Sequence, residues 1–260
     1  MAYKLLKKIA YRLGYDVTFR RLPQYDKRRR AAAIPRDMEM DFVAIYERTQ
    51  DFTMTSVERM YALYRAVRYV SESAIPGAFV ECGVWRGGSC MLMALTLKAL
   101  GDDARRIYLY DTFAGMTRPG EFDVRYRDQT EQVTRWEASR REGYNEWAFA
   151  PRDEVRRNIL STGYAEDSLV FVAGEIETTL PETAPQSIAL LRLDTDWYRS
   201  TRHELEHLYP LLAPGGALII DDYGSFEGAR KAVDEYFAAA PGEIFLHRID
   251  ATGRIGLKPR

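Results

Sequence analysis

Five short apolar runs, each closing on a carboxylate, constrain this chain more than any other feature. Ala78-Phe79-Val80 runs into Glu81, Ile107-Tyr108-Leu109-Tyr110 into Asp111, and Leu169-Val170-Phe171-Val172 toward Gly174-Glu175. Ile188 to Leu193 ends at Asp194, and Ala217 to Ile220 ends at Asp221-Asp222. Stretches 88–100, 152–160, 199–212 and 227–239 lie between or after these runs and read as helices, the first stopped by Gly101. Strands alternating with helices imply βαβ units. Continuous rather than alternating apolar runs imply strands buried on both faces. The expected fold is therefore α/β, a doubly wound and mostly parallel sheet with helices on both sides. In such sheets ligands bind at the carboxyl ends of the strands, where these acids fall.

The flanks read differently. Residues 1–55 form a basic, interrupted arm in which Arg20, Arg21, Lys27, Arg28, Arg29 and Arg30 cluster and Pro23 and Pro35 break any long helix. An amphipathic helix is expected from Ser56 to Ser73, with Met60, Leu63, Tyr64 and Val67 at helical spacing and Thr55 or Ser56 as its cap. Residues 56–260 then form the main domain. Within it, the charged and aromatic stretch of about 115–150 reads as an insertion of the kind that forms lids. The formal net charge of -1 speaks against a nucleic-acid binder. The apolar runs are roughly half of the ~20 residues a membrane span needs. With only Cys82 and Cys90, and no secretory h-region, the expected setting is a reducing cytoplasm.

Two constellations carry candidate chemistry. The first is Glu81-Cys82-Gly83-Val84-Trp85-Arg86-Gly87-Gly88-Ser89, a strand-to-helix turn whose glycines let a ligand approach the backbone. Its spacing matches neither G-x-G-x-x-G nor the phosphate loop, which speaks against dinucleotides and nucleoside triphosphates. Asp111 ends the next strand, where a carboxylate can accept from ribose hydroxyls. Together they point to an adenosine-containing ligand without a pyrophosphate, and S-adenosylmethionine fits. The second constellation is Asp194-Thr195-Asp196 beside Asp221-Asp222. So many like charges on adjacent strand ends need a compensating cation. Oxygen-only donors point to Mg²⁺, with Asp194, Asp221 and Asp222 as ligands and Asp196 as either a functional acid or a helix cap.

His203-Glu204-Leu205-Glu206-His207 matches the zinc-protease pattern H-E-x-x-H. The motif sits on a helix joining two core strands, the wrong setting for that chemistry, so it is expected to be structural.

The segments ECGVWRGGS, DTFAGM, LLRLDTDWYRSTRHELEHLYPLLAPGG and LIIDDYG, in this order, resemble the macrocin O-methyltransferase family over roughly residues 50 to 240. The resemblance implies a class I, S-adenosylmethionine-dependent enzyme that methylates a sugar hydroxyl on an antibiotic-type glycoside. It implies Mg²⁺ on Asp194, Asp221 and Asp222, with Asp194 as general base, an arrangement similar to catechol O-methyltransferase. Cofactor contacts are implied for Thr55 and Ser56 in a closing segment, for Glu81, Gly83, Val84, Trp85, Gly87 and Ser89, and for Asp111, Thr112 and Phe113. Gly174, Glu175 and Asp194 complete that set, with Glu175 toward the adenine. Family members are often oligomers, so a homo-oligomer is expected, with no nucleic-acid or membrane partner. The chain reads Asp-Thr-Asp-Trp-Tyr where the family pattern is Asp-Gly-Asp-Leu-Tyr, and its insertion is distinct. A phenol-type acceptor and a non-catalytic cofactor-binding module are the alternatives.

Overall fold

The computed structural model describes residues 34–239 and 244–259, so the arginine cluster of the basic arm lies outside the described residues. A short turn at 34–39 belongs to a separate N-terminal unit, and a compact unit runs from Met40 to Arg260. Its elements in chain order begin with α1 (Met40–Thr49), α2 (Val57–Glu72), β1 (Ala78–Cys82), α3 (Gly88–Leu100) and β2 (Ile107–Asp111). An insertion follows, carrying α4 (Val133–Ala138) and a hairpin of β3 (Arg140–Arg141) and β4 (Tyr144–Asn145). Next come α5 (Arg152–Leu160), β5 (Leu169–Ala173), α6 (Ile176–Thr179), β6 (Ile188–Leu193) and α7 (Tyr198–Leu208). The chain closes with β7 (Leu212–Ile220), α8 (Glu227–Ala239), β8 (His247–Arg248) and β9 (Arg254–Leu257).

The main sheet has the order β5-β2-β1-β6-β7-β9-β8. The first five strands are parallel, and β9 and β8 add an antiparallel edge that the apolar runs did not disclose. The order reverses between β1 and β6, which opens a crevice at their carboxyl ends. Register brings the tips level: Cys82 pairs with both Tyr110 and Leu193, and Leu193 pairs with Ile220. The acids that close these strands therefore share one edge of the sheet.

Burial on both faces accounts for the apolar runs. Val80, Leu191 and Leu218 pack with Leu205 of α7 and Val233 of α8. Phe79, alternating with Val80, faces the opposite side. There α3 has no polar face among its first ten residues, Gly88 to Leu97 all being buried, and α1, α2 and α5 cover it. α2 starts where expected: the Ser56 hydroxyl accepts from the Arg59 N–H at 3.2 Å. Met60, Leu63, Tyr64, Val67 and Val70 then form its buried stripe. α7 ends at Leu208, short of the expected 212, because Pro210 cannot donate and a 3₁₀ turn over Tyr209–Leu211 feeds directly into β7.

The insertion is bonded to itself and to the loops that follow the strands. Asn145 N–H donates to the Ala114 carbonyl at 2.7 Å and Met116 N–H to the Trp147 carbonyl at 3.0 Å. Arg125 bridges Phe226, and Trp197 Nε1 donates to the Thr117 carbonyl at 3.0 Å. The segment thus forms a wall beside the crevice.

Gly83 sits at φ +83°, where a Cβ would lie 2.0 Å from the Asp194 carbonyl oxygen. Backbone meets backbone there, and neither can yield. Gly83→Ala is expected to destabilise the protein by roughly 3 kcal/mol or more. Urea unfolding checks this, and an unchanged midpoint would contradict the close approach.

Candidate active site

A cleft of about 240 Å³ opens over the crevice between β1 and β6. The turn after β1 forms its floor. Trp85 holds a left-handed backbone at φ +45°, and Gly87, at φ +89°, begins α3. A Cβ on Gly88 would meet the Phe52 carbonyl oxygen at 2.6 Å and Thr53 Cβ at 2.7 Å. The strap of residues 52–55 therefore lies directly on the turn, and Met54 and Thr55 join the cleft wall.

Most residues nominated from the sequence meet here. Thr55, Glu81, Gly83, Val84, Trp85 and Ser89 line the cleft. So do Asp111, Thr112, Gly174, Glu175, Asp194, Asp221 and Asp222. Ser56, Gly87 and Phe113 do not line it. Ser56 caps α2 and bonds Asp250 at 2.7 Å, Gly87 packs against Val155 and Ile159, and Phe113 is buried against Phe171. Asp111 is committed to the backbone: its Oδ2 accepts from Val84 and Trp85 N–H at 2.7 and 3.0 Å, and its Oδ1 from Phe113 N–H at 2.7 Å. Of about four acceptor positions on a carboxylate, one is left for a ligand hydroxyl.

The acidic tips hold two guanidiniums that the sequence reading missed. Arg192 of β6, 1% exposed, donates to Glu81 Oε1 at 2.5 Å, Asp194 Oδ2 at 2.7 Å and Asp221 Oδ1 at 2.6 Å. It also reaches Thr55 Oγ1 at 3.0 Å. Arg59 of α2 pairs with Asp221 Oδ2 and, at 3.1 Å, with Asp250 Oδ2. The available signal for Arg192 was a lone arginine inside an apolar strand, since such a charge survives burial only when paired. Arg59 lay on the polar side of a helix and gave none.

Asp194, Asp221 and Asp222 each present an oxygen, and these lie within 4.8 Å of one another. Asp222 Oδ2 is buried without a hydrogen-bond partner. Burial pushes Asp194 well above the usual carboxylate range, Arg192 opposing and Asp221 and Asp222 adding to the shift. Asp222 is raised by burial and by Asp196 and Asp221. Asp196, at φ +70°, is pushed up to about 7, again chiefly by burial. Such groups are short of positive charge. Three hard oxygen donors with one orphaned lone pair fit a divalent cation of the Mg²⁺ type.

The strand order, the glycine turn and the acidic tips define a class I methyltransferase fold, the S-adenosylmethionine-dependent kind. The family model of macrocin O-methyltransferases matches residues 10–255, and the chain belongs to that family. It is an O-methyltransferase. It is 37% identical over 201 residues to the 8-demethyl-8-(2,3-dimethoxy-alpha-L-rhamnosyl)-tetracenomycin-C 4'-O-methyltransferase of Streptomyces olivaceus, covering 77% of this chain and 73% of that one. It is 33% identical over 186 residues to the mycinamicin III 3''-O-methyltransferase of Micromonospora griseorubida, covering 71% and 69%. Among solved structures, the O-methyltransferase NovP aligns with a TM-score of 0.71 and 32% identity, over 80% of this chain and 83% of that one.

The H-E-x-x-H match is structural in its setting. His203 and His207 lie with ring centroids 4.2 Å apart, while Glu204 is fully buried. Among the described residues the only acid, histidine or cysteine cluster able to hold a metal is the aspartate trio. No helix among those residues is long and apolar enough to cross a membrane. Neither oxygen of Glu204 has a hydrogen-bond partner, and burial holds its pKa well above the carboxylate range, with Glu177 and Asp194 adding repulsion and Thr195 opposing. Unfolding releases a proton wherever the pH exceeds the unfolded value of about 4.3 but not the raised folded one. Stability is therefore lost as pH rises through that window. Glu204→Gln removes this term. Its urea midpoint is expected to climb above wild type between pH 5 and 8, and a constant difference across that range would contradict a protonated Glu204.

Proposed function

We propose that this protein moves the methyl group of S-adenosylmethionine to a sugar hydroxyl of an antibiotic-type glycoside, with a divalent cation held by Asp194, Asp221 and Asp222. The charge inventory of the cleft carries the reading. Glu81, Asp111, Glu175, Glu177, Asp194, Asp196, Asp221 and Asp222 line it with Arg59, and Arg192 joins three of these acids from within the sheet. Eight carboxylates against two guanidiniums leave a large negative excess when all are ionised. A divalent cation and a sulfonium would both supply positive charge against that excess. The glycoside acceptor is supported by the relatives, which are named for sugar positions on tetracenomycin and mycinamicin.

The chain's own groups divide the work. The turn after β1 and the strap at Thr53–Thr55 enclose the methionine end of the donor, Asp111 offers its one remaining acceptor position to the ribose, and Glu175 approaches the adenine. A bound cation supplies Lewis acidity, lowering the pKa of an alcohol that water at neutral pH leaves protonated. Asp194 takes the hydroxyl proton at Oδ1, since Oδ2 is held by Arg192. The acceptor oxygen bonds to the methyl carbon as the carbon–sulfur bond breaks, and S-adenosylhomocysteine leaves. Holding donor and acceptor in line contributes up to ~7–11 kcal/mol in favourable intramolecular cases. The same reading includes a cytoplasmic setting, supported by buried free thiols at Cys82 and Cys90, and a homo-oligomer, supported by the family resemblance.

Wild type and Asp194→Asn, assayed on glycosides and catechols with labelled methyl donor, test this. Removing the base is expected to lower kcat by about 100-fold or more, and EDTA to abolish wild-type transfer until Mg²⁺ is restored. Full turnover in EDTA would remove the cation from the reading, and transfer to catechols alone would replace the acceptor.

A further inference from the structure

Both oxygens of Asp221 already carry a guanidinium, Arg192 on Oδ1 at 2.6 Å and Arg59 on Oδ2. The two arginines are not equivalent. Arg192 is sealed inside the sheet and tied to three acids, whereas Arg59 stands on the cleft wall. Arg59 also has a second partner outside the trio. Its Nε donates to Asp250 Oδ2 at 3.1 Å and to Ser56 Oγ at 3.4 Å. Asp250 is itself fixed, with Ser56 Oγ on Oδ2 at 2.7 Å and Thr252 and Gly253 N–H on Oδ1 at 2.8 and 2.7 Å. Although burial acts to raise it, these backbone and hydroxyl donors and Arg59 hold its pKa at about 2, so it stays charged. Gly253 lacks the Cβ that would strike the Arg59 side chain at 2.8 Å, and the turn 250–253 closes on the arginine's stem.

We propose that Arg59 is a resident counter-charge at the cation site, covering Asp221 Oδ2 until a divalent cation takes that oxygen and then resting on Asp250 alone. This rests on the cation reading above. A planar guanidinium bridges two acids through separate nitrogens and can release one while keeping the other. A cation next to Asp221 repels the Arg59 charge, while Asp250 gives that charge somewhere to remain. The site is competent only in the released arrangement, so the apparent affinity for the cation is reduced by the fraction of molecules in that state.

Mn²⁺ titration of the full chain, read from the electron paramagnetic resonance of free Mn²⁺, tests this without turnover. Four proteins are compared: wild type, Arg59→Gln, Arg59→Lys and Asp222→Asn. Arg59→Gln frees the oxygen but also removes a charge. Arg59→Lys keeps the charge, yet one ammonium cannot bridge both acids, so this variant decides. Both arginine variants are expected to bind Mn²⁺ about tenfold more tightly than wild type, as for a site competent in about a tenth of molecules, with a larger rise in Tm on adding Mn²⁺. Should Arg59→Gln fail to fold, Arg59→Lys carries the test alone. Wild-type affinity in Arg59→Lys overturns the handover, whatever Arg59→Gln does. If in that case wild type binds and Asp222→Asn does not, the cation site itself stands. If no protein binds Mn²⁺, the cation reading falls and the handover with it.

Discussion

Arg192 is the interaction on which the rest of this structure depends. It emerges from the middle of the sheet and joins Glu81 at the tip of β1, Asp194 at the tip of β6, Asp221 at the tip of β7 and Thr55 on the strap. A guanidinium taken out of water costs several kcal/mol unless its partners are well placed, and stripping a buried pair of one member commonly costs about 3–5 kcal/mol. Three strand tips and an N-terminal segment are thereby held to one mutual arrangement. Packing alone would bring the strands together, but it would leave the spacing of the acids to chance.

Close backbone approach reinforces this charge network. Gly83 lets the turn after β1 touch the carbonyl of Asp194, and Gly88 lets the strap lie on the first turn of α3. Hydrogen bonds follow the same pattern, Asp194 N–H donating to the Cys82 carbonyl and Asp221 N–H to that of Leu193, at 2.8 and 2.9 Å. This edge of the sheet is therefore hydrogen-bonded main chain, with the side-chain acids as its fringe. Such a scaffold keeps charged groups oriented without the reorganisation that water would require.

The parts legible in the sequence were those that burial writes into it. Strands covered on both faces must be apolar throughout, so β1, β2, β5, β6 and the end of β7 announce themselves and point to Asp111, Asp194 and Asp221-Asp222. α3 ends at Gly101, at φ +73°, as its sequence implied. The edge strands β8 and β9 are short and carry His247, Arg248 and Arg254, with no run to mark them. Arg59 was hidden for a similar reason: a polar residue on an amphipathic helix reads as solvated, and only the fold brings Asp221 and Asp250 to it. Asp111 shows a subtler gap. Its place at a strand end was plain, but periodicity says nothing about which of its lone pairs the neighbouring amides consume.

The chain has four tryptophans, one lining the cleft, two in the insertion and one packed against the insertion. Trp85 forms part of its floor, and Trp136 ties the insertion through its indole N–H to the Met116 carbonyl. Trp147 meets Trp197 edge-on at 5.5 Å, with the Arg135 guanidinium 3.8 Å above its ring. Intrinsic indole emission from this molecule consequently comes from the cleft floor, the insertion and the residue packed against it. The unmodified chain is thereby its own optical sensor for the seating of the insertion and the filling of the cleft.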